Sequence, residues 1–129
     1  MKYALLIYED EQFWNKMPQE EIGAMMEGYQ RFGQTAGERI QSGEALQPTM
    51  TATSVRVREG ERLLTDGPFA ETAEQLGGFY IVDAGSLDEA IELAAQIPGA
   101  GTGVVEVRPV MEFTEDGRPV DAEAGQAAG

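Results

Sequence analysis

Residues 2–9, KYALLIYE, carry apolar side chains on both sides of an extended chain: Tyr3, Leu5 and Ile7 on one face, Ala4, Leu6 and Tyr8 on the other. Two apolar faces predict a central strand covered from both sides. Residues 79–84, FYIVDA, repeat the pattern after Gly77-Gly78. Between them, QFWNKM reads as a connection, and Pro18 as the first residue of a helix with Glu20 and Glu21 at its positive end. Ile22, Met25, Met26, Tyr29, Phe32, Ala36 and Ile40 then recur at helical spacing. This predicts a helix of about six turns, closed by Gly43, with the methionines in the core.

EALQPT reads as a short extended piece that Pro48 ends or places on an edge. TSVRVREGERLLT reads as a hairpin, with Val55 and Val57 alternating with arginines and Gly60 in the turn. Ser86-Leu87-Asp88-Glu89 is a capping box that opens a second helix, which Pro98-Gly99 ends. TGVVEVRPVMEF is the last strand. Residues 114–129 are polar and rich in Gly and Ala, without aromatics, and read as a disordered tail beyond a domain at 1–113.

The order β-α-β-hairpin-β-α-β is that of an α+β protein: a ferredoxin-like split βαβ with an inserted hairpin. Two helices cover one face of a four-stranded antiparallel sheet. The other apolar face needs a cover, and the expected one is a second copy of the chain, giving a homodimer packed sheet on sheet.

Composition narrows the chemistry. The chain has 129 residues, the length of one domain. It contains neither Cys nor His, which removes disulfides, thiolate sites, imidazole bases and every imidazole triad. The net charge of −14 repels phosphate backbones, so nucleic acid is not an expected partner. YALLIY is too short to span a bilayer and lacks the architecture of a signal peptide, so a cytoplasmic protein without a membrane partner is expected. PGAGTG follows a helix and precedes a strand, the reverse of a nucleotide loop, and no cofactor is expected.

The segment TDGPFAET, residues 65–72, carries the candidate chemistry. Asp66 has two readings: a turn acceptor for the backbone N–H groups of residues 67–69, or a general acid or base at a strand end facing a dimer cleft. The turn reading accounts for Asp, Gly and Pro together and is favoured. Phe69, Arg56, Arg108, Tyr8 and Tyr80 complete the candidate ligand-binding set. Each also has a structural reading: core anchoring for Phe69, cross-strand ion pairing for the arginines, core packing for the tyrosines. Glu71 and Glu74 with Asp66 do not match the spacing of a calcium loop, and no metal site is expected.

At MKYALLIYED, ATSVRVREGERLLTDGPFAET, AEQLGGFYIVDA and GTGVVEVRPVMEF the chain resembles the YCII-related proteins, specifically the subgroup named for its Asp-Gly-Pro-Phe motif, the DGPF domain. The resemblance covers residues 1–113 and implies a dimeric α+β barrel. It implies little chemistry: the histidine–aspartate pair proposed for the wider group has no counterpart here, since His is absent and Ile97 precedes Pro98. Ala73 stands where the subgroup usually has a lysine. Genes of the subgroup tend to neighbour extracytoplasmic-function sigma factors. The expected function is a non-catalytic small-ligand-binding or regulatory dimer. The alternative is a small-molecule lyase, isomerase or hydrolase using Asp66 in a dimer cleft, with Arg108 or a tyrosine assisting.

Overall fold

The alternation read in residues 2–9 continues one position further than its apolar part. In the computed structural model, which describes residues 1–120, strand β1 (Lys2–Glu9) buries Tyr3, Leu5, Ile7 and also Glu9 on one face. Ala4, Leu6 and Tyr8 are half-buried on the other. β1 lies between β5 (Gln75–Asp83) and β6 (Val104–Pro109), both antiparallel to it, and β2 (Ile40–Ala45) pairs with the far side of β5. The sheet order is β2-β5-β1-β6. Because β1 and β5 are central, they need the apolar residues on both faces that the sequence gives them.

Helices α2 (Gln19–Ala36) and α3 (Leu87–Ala95) cover the face that holds Tyr3, Leu5 and Val82. Phe32 and Ala36 enter from α2, and Ala90, Leu93 and Ala94 from α3. Each fully buried large side chain contributes about 1.5–3 kcal/mol. The start of α3 follows the S-x-x-E pattern: the Ser86 hydroxyl accepts from the Glu89 N–H. The Glu89 carboxylate accepts from the Gly85 N–H, one residue before the cap, and from Arg39 at 3.2 Å. Those two hydrogen bonds, the Gly85 amide first, hold its carboxyl below the usual range.

The first helical region departs from expectation in three places. QFWNKM, read as a connection, forms helix α1 (Glu11–Lys16) with Met17 as its C-cap, and the Asp10 carboxylate caps the other end by accepting from the Gln12 N–H at 2.9 Å. Pro18 is the N-cap of α2 rather than its first residue. α2 ends at Ala36, not Gly43, since Gly37 takes φ +54°, outside the helical region. A 3-10 turn (Gly37–Arg39) follows, and Ile40 opens β2, pairing with Val82. Ile40 thus packs on the core from a strand, where helical periodicity had placed it on a helix.

The hairpin is present as β3 (Thr53–Arg58) and β4 (Glu61–Asp66), a separate two-stranded sheet. Glu59 and Gly60 both have positive φ, the requirement of a tight primed turn. Val55, Val57, Leu63 and Leu64 remain exposed on it. Helix α4 (Gly99–Thr102) is a single short turn leading into β6. Residues 114–120, within the stretch read as a tail, form a turn in which the Thr114 N–H donates to the Arg118 carbonyl, the Arg118 N–H donates to the Thr114 hydroxyl, and Phe113 bridges Pro119. Residues 121–129 of that stretch lie outside the described residues. The architecture is a mixed α+β fold with antiparallel sheets and, among the described residues, four α-helices. No described helix is long and apolar enough to cross a membrane.

Candidate ligand-binding site

Glu9 is a carboxylate placed where the strand pattern calls for an apolar side chain, and it is only 7% exposed. A buried charge is costly unless hydrogen bonds offset its lost hydration. One such bond comes from α4: the Thr102 hydroxyl donates to Glu9 Oε2 at 2.7 Å. The approach of α4 to β1 depends on Gly99. A Cβ there would lie 2.7 Å from Ile7 Cγ2 and 3.1 Å from both Glu9 Oε1 and the Tyr29 hydroxyl oxygen. The glycine run read in the sequence as a loop therefore serves close packing, and brings a carboxylate and a phenol to one point.

Tyr29 reaches that point from α2. Its phenol is pushed up from the ordinary value of 10.0 to about 12, first by burial, then by the charge of Glu9 and by Tyr80, against the opposing pull of the Gly99 backbone. It therefore stays protonated through the physiological range. Tyr80 of β5 stands nearby, its pKa raised by burial and its ring tilted 56° to Phe32 at a centroid distance of 4.9 Å. Opposite it on β2 is Gly43, where a Cβ would come within 2.7 Å of the Tyr80 ring. The absence of a side chain at residue 43 gives the ring its place.

These groups line a cavity of about 860 Å³ between the sheet and the α1–α2 segment, with Trp14 and Met26 on the helical side. The segment joining β2 to β3 forms another wall and is latched to α1. The Glu11 carboxylate accepts from the Thr49 N–H at 2.6 Å and from its hydroxyl at 2.9 Å, and the Glu11 N–H donates to Gln75 Oε1. Among the described residues, and tyrosines apart, the ionisable side chains lining the cavity are all carboxylates: Glu9, Glu11 and Glu44. Aromatic rings, apolar walls and a few placed polar groups are the usual make-up of a small-molecule site, and the volume falls in the usual range.

Of the six candidate site residues named from the sequence, Tyr80 alone lines this cavity. Asp66 ends β4 and is exposed, opposite Thr53. The turn after it is pinned by Gly67 N–H donating to the Ala52 carbonyl and by the Ser54 hydroxyl donating to the Gly67 carbonyl. These bonds do not use the Asp66 carboxylate. Phe69 is 82% exposed, not a core anchor. Arg56 is exposed on β3. Arg108 is exposed on β6 and pairs with Glu106 of its own strand at 2.8 Å, so the expected cross-strand pairing is an in-strand one. Tyr8 lies on the sheet face opposite Glu9. Pro68, Ala70, Glu71 and Thr72 border a smaller depression of about 310 Å³ that shares Thr49, Met50 and Gln75 with the main cavity.

Sequence reasoning passed over Glu9, Trp14, Tyr29 and Thr102 as site residues. For Glu9 a signal existed: position 9 is in phase with the buried positions 3, 5 and 7. Trp14 and Thr102 gave none, because each depends on a short helix meeting the sheet.

A small α+β domain with an acidic, aromatic cavity between sheet and helices is the class of protein that fold and site define. Residues 1–114 match the YCII-related domain, and the chain belongs to that family. It is 42% identical over 115 residues to an uncharacterized protein of Rhizobium meliloti (strain 1021), an alignment covering 85% of this chain and 92% of that protein.

Proposed function

We propose that this protein is a small-ligand-binding module and that the cavity around Glu9 is its binding site. The observation that carries the reading is a buried carboxylate, Glu9, in the wall of a cavity that also presents the rings of Trp14, Tyr29 and Tyr80. A polar group placed in the wall of such a cavity is what fixes a ligand's orientation there. The chain contains one tryptophan, Trp14, and it lines the cavity, so its fluorescence reports directly on occupancy. A small-molecule library scored by Trp14 emission and by melting temperature should give hits that Tyr80→Ala weakens. Hits unaffected by that change, or a library with no hit at millimolar concentration, would refute the assignment.

The strand order β2-β5-β1-β6 supports a ferredoxin-like split βαβ, and the TDGPFAET block supports membership of the DGPF subgroup. In this proposal the module is a cytoplasmic homodimer, closed as a dimeric α+β barrel through the sheet face away from the helices. Register places Ala4 beside Ile81 and Leu6 beside Phe79 on that face, a half-buried apolar stripe that a second copy would cover. A regulatory role in a sigma-factor pathway is the setting proposed for it, with the ligand as the signal. Light scattering tests the dimer, and Leu6→Glu should yield the mass of one chain.

A further inference from the structure

We propose that the cavity takes an organic monocation: an amine or quaternary ammonium group carried on a small apolar body. This rests on the cavity being the ligand site. The sign of the charge follows from the lining, which includes Glu9, Glu11 and Glu44 but, among the described residues, no lysine or arginine. An anion would find no charged donor there, and the chain's net charge of −14 repels it at a distance.

The three carboxylates are not equivalent. Glu11 is occupied with the Thr49 amide and hydroxyl. Glu44 is exposed at the rim, where water solvates it. Glu9 is buried and has the Thr102 hydroxyl as donor, while none of the ion pairs among the described residues involves it. A carboxylate has about four lone-pair sites when ionised, so the one neutral donor found among the described residues leaves most of the accepting capacity open. A cation entering the cavity supplies what the protein does not.

The cation indicated is organic rather than metallic. Among the described residues no three carboxylates converge closely enough to hold a metal ion. The walls offer rings instead: Trp14, Tyr29 and Tyr80 share the cavity with Glu9. The negative faces of such rings attract alkylammonium groups, with Trp the strongest. Met26 and Ile7 supply apolar surface for the rest of the ligand.

Three probes of one shape and different charge test this on the intact chain: choline, its neutral carbon isostere dimethylbutanol, and the branched carboxylate dimethylbutanoate. Each is titrated against Trp14 fluorescence. Choline should bind about tenfold or more tighter than the alcohol, a preference of the size a desolvated cation–π and carboxylate contact provides, and the carboxylate should bind weakest. Glu9→Gln, which keeps the side-chain shape, should remove most of the preference for choline over the alcohol. Equal or tighter binding of the alcohol or the carboxylate overturns the cation inference while leaving the cavity as a ligand site. Silence from all three, together with a library that gives no hit, overturns the site itself. The charge preference is measured on the parent chain, so the test does not depend on the variant folding.

Discussion

Removing the Thr102 hydroxyl tests whether Glu9 is held as its geometry indicates. Thr102→Val keeps the branched shape and deletes the donor that lies 2.7 Å from Glu9 Oε2. A hydrogen bond to a charged group contributes about 1.5–3 kcal/mol, and its loss leaves the carboxylate uncompensated. Glu9 is only 7% exposed, so water does not readily take over from its side, but Thr102 itself is exposed and lets some solvent approach. The expected cost is therefore at the lower end, about 1.5 kcal/mol, or roughly 5 °C in melting temperature for a domain of this size. Thr102→Ser, which retains the hydroxyl, should cost under about 0.5 kcal/mol. Urea unfolding with unchanged slope gives the numbers, and a cycle with Glu9→Gln isolates the pair. With a neutral amide at residue 9, the Thr102→Val penalty should fall by about 1 kcal/mol. The same penalty in both backgrounds, or none in the parent, would refute the argument.

The Tyr29 phenol is raised in the folded state, so its contribution to stability is complete below the unfolded value near 10 and is lost as pH rises toward about 12. Unfolding at alkaline pH should show that decline, and Tyr29→Phe should flatten it; an unchanged slope would contradict the burial described. The Tyr3 hydroxyl is fully buried without a hydrogen-bond partner among the described residues, so Tyr3→Phe should be neutral or stabilise by up to about 1 kcal/mol. A clear loss of stability would reveal a partner for that oxygen. Asp66→Ala, at an exposed strand end, should change stability by less than about 0.5 kcal/mol and leave Trp14-reported binding intact. Lost binding would return Asp66 to the site.

How far the sequence could be read depended on how local the cause was. The capping box at Ser86 and the turn at Gly60 rest on chemistry within a few residues, and both elements stand where the pattern placed them. The central strands were legible because two-faced apolar runs have one physical explanation in a small domain. The end of α2 was not. An isoleucine four residues after Ala36 satisfies helical periodicity whether it lies on a helix or on the following strand, and the backbone turn at Gly37 decides between them. Asp66 drew attention because its motif is compact in sequence, yet it lies at an exposed strand end, outside the cavity.

By itself, then, the sequence determined the kind and order of most elements, the acidic surface, and the absence of imidazole and thiol chemistry. These follow from residue identity and from contacts over a few positions. The cavity was decided by tertiary structure. Glu9 and Thr102 are 93 positions apart, and their contact exists because Gly99 lets α4 press against β1 while α2 brings Tyr29 to the same place. A glutamate's partners and solvent exposure are properties of what packs around it, and no periodicity along the chain encodes which distant glycine makes the room.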